Sequence, residues 1–130
     1  MTDKELVLIA AEASRKAYAP YSGCKVGAAL LARSGKVYTG CNVENASFGA
    51  TVCAERTAVF KAVSEGETEF EKIAVTGTSE KGDIAFYPCG ICRQVLSEFC
   101  GESFEVIVAK SKNDFTRDTL GQLLKNGFSM

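Results

Sequence analysis

Apolar residues recur at helical spacing over residues 3–18, where Leu6, Ile9, Ala10, Ala13 and Ala17 form one stripe. Pro20 and Gly23, within Tyr18-Ala19-Pro20-Tyr21-Ser22-Gly23, end that helix. Residues 25–32 and 36–43 then read as a strand pair, joined across Ser34-Gly35 as a hairpin. Residues 51–64 form a buried helix that starts near Cys53 and stops before Gly66. Residues 72–78, centred on Ile73-Ala74-Val75, read as a short apolar strand. A second helix spans 89–100, with Pro88 at its start and Gly101 past its end, the asymmetry expected of helix termini. Residues 104–109 give another strand and 116–124 a short closing helix. The order α-β-β-α-β-α-β-α predicts an α/β protein with three α/β/α layers and a mixed sheet.

No repeat, low-complexity tract or linker interrupts this pattern, so residues 1–130 are expected to form a single domain. With 46% hydrophobic and 24% charged residues, the chain has the balance of an ordinary soluble globular protein. Its formal charge of −1 provides no basic field for a polyanion, which favours a small substrate over nucleic acid. The polar start Met1-Thr2-Asp3-Lys4-Glu5 carries no signal pattern. No apolar run reaches the roughly 18 residues of a membrane span. A reducing cytoplasm is therefore expected, with the six cysteines acting as metal ligands or free thiols rather than disulfides.

Histidine is absent, which removes imidazole from both metal binding and nucleophilic catalysis. A base working near neutral pH must then be a carboxylate, a lysine, a thiolate or a metal-activated water. Attention falls on Cys53-Ala54-Glu55 and on Pro88-Cys89-Gly90-Ile91-Cys92. A distant third thiol can close a three-cysteine site around a tetrahedral metal and leave one position open. The predicted helix starts at Cys53 and Cys89 also favour thiolates, through free backbone N–H groups and the helix dipole. Three thiolates on Zn²⁺ carry a net negative charge, and a guanidinium at Arg56 would offset it.

Each feature has a plainer reading. A Cys-x-x-Cys pair is often redox-active, or forms half of a structural zinc site completed by Cys24, Cys41 or Cys100. Glu55 alone would be a helix-start acid, and Arg56 an exposed helix arginine. Asn42 and Glu44 would be polar turn caps, and Phe128 a local packing anchor.

Cys53-Ala54-Glu55-Arg56 together with Pro88-Cys89-Gly90-Ile91-Cys92-Arg93-Gln94 resembles the small, homotetrameric cytidine deaminases. Tyr18-Ala19-Pro20-Tyr21-Ser22, Val26-Gly27-Ala28-Ala29-Leu30 and Gly40-Cys41-Asn42-Val43-Glu44-Asn45-Ala46 extend the similarity over roughly residues 10–128. The resemblance implies a mixed five-stranded sheet and one zinc per subunit on Cys53, Cys89 and Cys92. It also implies a hydrolase of pyrimidine salvage that converts cytidine and deoxycytidine to uridine and deoxyuridine plus ammonia. Glu55 would move the protons, while Asn42 and Glu44 would hold the 3′-hydroxyl of a free pyrimidine nucleoside. Phe48 and Phe128 match positions that reach a neighbouring subunit's pocket in a homotetramer. A blasticidin S deaminase of the same superfamily is the nearest competing reading. The sequence departs from the family at Cys24, where many members carry an aromatic that stacks on the base. A thiol has no π-face, so another residue must hold the ring.

Overall fold

The computed structural model describes residues 1–130 except the side chain of Asp83. Helix α1 (Asp3–Ser14) opens on a reciprocal cap: Thr2 accepts from the Glu5 amide, and Glu5 accepts from the Thr2 amide. It buries Leu6, Val7 and Ala10. The expected helix over 3–18 stops at Ser14, earlier than periodicity alone predicts. Beyond it the Tyr18 backbone is engaged elsewhere, donating to Asn42 O and accepting from Glu44 N. Pairing across the chain replaces another helical turn.

Strands β1 (Lys25–Ala32) and β2 (Val37–Cys41) form the hairpin. Helix α2 (Ala54–Ser64) leads to β3 (Phe70–Ser79) and the two-residue β4 (Gly82–Asp83). Helix α3 (Gly90–Phe99) leads to β5 (Glu105–Ser111), β6 (Asp114–Thr119) and the single turn α4 (Leu120–Leu123). The main path of the sheet is β2-β1-β3-β5-β6, with β4 paired to β3. Only β3 and β5 run parallel. The five-strand path matches the mixed sheet that the resemblance implied, and β4 adds a short sixth strand.

The closing helix expected over 116–124 is a correction. Residues 114–119 instead pair antiparallel with β5, setting Thr116 opposite Val108 and Arg117 opposite Ile107. The exposed edge of β5 supplies hydrogen-bonding partners that local helix propensity cannot match. Thr119 then caps α4 by accepting from the Gln122 amide.

The central strands are buried on both faces, so alternate residues enter two different cores. Ala28, Leu30, Ile73, Val75, Val106 and Val108 face Ala58, Val59 and Leu96 of α2 and α3. Ala29, Leu31, Ala74 and Ile107 face Leu6, Val7 and Ala10 of α1. The α/β/α layering follows from this alternation. Direction positions the chemistry: β1 runs antiparallel to both β2 and β3, so β2 and β3 end at the same edge. Helices α2 and α3 both start from that edge, where α/β sheets bind their ligands.

Candidate active site

Val43 and Val52 exchange both backbone hydrogen bonds at 3.0 Å and pin the chain between β2 and α2 at this edge. The bridge brings Asn42 and Glu44 next to Cys53. Cys53 is the N-cap of α2 and Cys89 the N-cap of α3, with Cys92 in the first turn of α3. Helix α2 lies close against β2 because residue 40 is glycine. A Cβ there would stand 2.4 Å from Ala54 O and 2.5 Å from Ala58 N.

The sulfurs of Cys53, Cys89 and Cys92 lie within 4.8 Å of one another. Those of Cys53 and Cys89 are 3.7 Å apart. Tetrahedral zinc with Zn–S bonds of about 2.3 Å requires sulfur separations of about 3.8 Å, so the donor set fits. Cys24, Cys41 and Cys100 do not join the cluster, and no four-sulfur structural site forms among the described residues. Cys92 is buried and Cys89 exposed, so the cluster opens to solvent on one side.

Charge explains why this cluster calls for a cation. Hydrogen bonding from Cys92, together with Arg56 and Cys89, brings the Cys53 thiol down to about 5. The same interaction with the Cys53 thiolate, reinforced by burial, pushes the Cys92 thiol up. The three sulfurs cannot all ionise without added positive charge. Arg56 supplies part of it: its Nη2 lies 3.6 Å from Cys53 Sγ and 3.4 Å from Thr51 O. Arg56 Nε is buried with no hydrogen-bond partner among the described residues. The guanidinium is therefore held at the sulfurs and is not an ordinary exposed helix arginine.

Glu55 is 4% exposed and borders the same cavity as Cys53 and Cys89. Burial pushes its carboxyl up to about 7; its backbone hydrogen bond opposes this and the Cys53 charge reinforces it. A carboxyl poised there can both accept and return protons at neutral pH. The plain reading of Glu55 as a solvated helix-start acid does not hold for a buried side chain.

Asn42 and Glu44 line this cavity of about 220 Å³. Asn42 Oδ1 accepts from Val26 N, and Nδ2 donates to Cys24 O, each at 2.8 Å. One N–H of the amide remains free of protein partners. Glu44 Oε1 accepts from Tyr21 N at 2.9 Å and Ser22 N at 3.1 Å, and Oε2 from Ser22 Oγ at 2.5 Å. Ser22 foremost, aided by the two amides, holds the Glu44 carboxyl below its usual range. It remains an anion with about one acceptor position left.

Phe48 is 78% exposed and meets Tyr21 edge to face in an adjoining cavity that shares Glu44 and Thr51 with the first. Phe128 is 70% exposed, and Gln94 holds its backbone from both sides. It lines a separate cavity with Ser97 and Leu120, away from the sulfurs. The residues missed from sequence are Phe86 and Tyr87, which line the cavity beside Cys24. Two aromatics directly before Pro88-Cys89 were the available signal.

The model of the cytidine and deoxycytidylate deaminase zinc-binding region matches residues 1–109. The chain belongs to that family. It is 46% identical to a cytidine deaminase of Sporosarcina psychrophila over 129 residues, covering 99% of this chain and 93% of the relative. A crystal structure of cytidine deaminase from Burkholderia pseudomallei superposes with a TM-score of 0.89 at 48% identity, covering 98% of this chain and all of that one. Blasticidin-S deaminase of Bacillus cereus is similar at 28% over 127 residues, covering 94% of this chain and 89% of that protein. Family membership accounts for the cluster as a zinc site and for the mixed sheet behind it. No helix among the described residues is long and apolar enough to cross a membrane.

Proposed function

We propose that the chain hydrolytically deaminates cytidine and deoxycytidine to uridine and deoxyuridine, releasing ammonia. The observation that carries this reading is a buried carboxyl, Glu55, raised to about 7 beside three clustered sulfurs in one small cavity. Cys53, Cys89 and Cys92 would hold zinc, which would supply Lewis-acid activation of water. Glu55 takes a proton from the attacking water and gives it to ring N3, which makes C4 more electrophilic. It then carries the second proton, taken from the new C4 hydroxyl, to the amino group; the C4–N bond breaks and ammonia leaves, with one water consumed. Asn42 and Glu44 hold the sugar hydroxyl with their remaining donor and acceptor. Arg56 offsets the charge of the sulfurs.

Exposed rings at Phe48 and Phe128 support an assembly in which neighbouring copies cover them, and a homotetramer is the state we assign. Thiols that must stay reduced to bind metal suit a reducing cytoplasm. The whole chain is read as one deaminase domain.

Glu55→Gln tests the central step. Zinc content should persist, while the ultraviolet change from cytidine to uridine slows by about 10²–10⁴-fold. Normal turnover by this variant would remove Glu55 from the reaction. Ammonia release across a nucleoside panel separates cytidine from blasticidin S.

A further inference from the structure

We infer that Phe86 is the surface on which the pyrimidine ring stacks, in place of an aromatic at position 24. The inference rests on reading the cavity as a nucleoside site. Glu55, Cys53 and Cys89 border one part of that cavity, and Asn42 and Glu44 contribute its polar groups. A flat base between them needs an apolar face, and Cys24 and Val26 offer no π-system. Two aromatics border the cavity, Phe86 and Tyr87. Tyr87 is 49% exposed, whereas Phe86 is half-buried and, like Val26, packs against the core that includes Ala28, Val75 and Val108.

The backing of the Phe86 ring is visible in the sheet. Val26 pairs with Gly77 across β1 and β3. A Cβ on Gly77 would stand 3.1 Å from Phe86 Cδ2, 3.0 Å from Val26 Cα and 2.5 Å from Lys25 O. Glycine at 77 thus leaves the space that the ring occupies, and the sheet backbone fixes the ring from behind. Phe86 is also only three residues from Cys89, so its position is tied to the metal cluster. A rigid aromatic face needs little ordering on binding, which makes stacking contribute to affinity.

Phe86→Leu should raise KM for cytidine about 2- to 10-fold, with zinc content and Tm retained and kcat within about twofold. Phe86→Tyr should restore KM. The chain has no tryptophan, so Phe86→Trp introduces a sole indole at the stacking position. Uridine should quench its emission saturably, over the concentrations at which uridine inhibits turnover. A Phe86→Leu chain with unchanged KM overturns the assignment. So does a Phe86→Trp chain that uridine inhibits with no change in emission, even where the leucine variant does not fold. If the unaltered chain fails to deaminate cytidine, the nucleoside reading itself falls; an active chain indifferent to Phe86→Leu removes only the role of Phe86.

Discussion

Gly40→Ala tests whether the close packing of α2 on β2 holds the catalytic cluster together. The added methyl would stand 2.4 Å from Ala54 O and 2.5 Å from Ala58 N, where ordinary contact begins at 3.4 Å. Both obstructing atoms are backbone, so no rotamer change relieves them. Helix and strand must separate by about 1 Å. Overpacking of this kind costs about 1–3 kcal/mol, and rigid neighbours place it near the upper end. For a chain of 130 residues that is a Tm loss of about 10 °C. Cys53 and Glu55 ride on α2, whereas Cys89 and Cys92 ride on α3, which the substitution does not touch. A 1 Å displacement therefore alters the 3.7 Å separation between Cys53 and Cys89 and shifts the Glu55 carboxyl relative to Cys89 and Cys92. Zinc retention should fall, and kcat/KM should drop by about 10²-fold. Calorimetry, metal analysis and the cytidine assay read the three effects. Gly101→Ala is the control: nothing lies within 4 Å of its Cβ position, and stability should stay within about 0.5 kcal/mol. A Gly40→Ala chain with unaltered Tm would refute the packing argument. Lost stability with full zinc and normal kcat would refute the link from that packing to the site.

Asp3, 8% exposed at the start of α1, accepts from Lys72 Nζ at 2.8 Å and pairs with Arg117, tying the helix to β3 and β6. Burial alone would raise its carboxyl, but the hydrogen bonds and charges of Lys72 and Arg117 hold it below the ordinary 3.8. Asp3→Asn should cost about 1–2 kcal/mol near neutral pH, a modest figure because Arg117 is largely solvated. A depressed folded pKa gives stability that is full above 3.8 and drains as pH falls toward the lower folded value. The Tm gap between Asp3→Asn and the unaltered chain should close over that acid range, and a gap independent of pH would contradict the assignment. Asn42→Ala removes the partners of Val26 N and Cys24 O and should destabilise by about 2–4 kcal/mol. It should also raise KM for cytidine while zinc stays bound, whereas an unchanged KM would leave the amide a purely structural bridge.

The sequence by itself determined the elements of chemistry. Its apolar periodicity marked α1, the hairpin, α2 and α3, because a helix face or a strand face is a local pattern. The Cys-Ala-Glu and Cys-x-x-Cys spacings, in a chain without histidine, narrowed the choice to a thiolate-bound metal with a carboxylate beside it. Tertiary structure decided what local pattern cannot encode. Residues 114–119 became a strand because the free edge of β5 outweighed their own preference. Cys53 and Cys89, 36 residues apart, meet because antiparallel β1 turns the ends of β2 and β3 to one edge. The carboxyl of Glu55 rises to about 7 only through burial between packed layers. Phe86 entered the site because Gly77, on a different element, leaves room behind its ring. Spacing along a chain names the groups that can react, while long-range packing sets their distances and their dielectric, and so their reactivity.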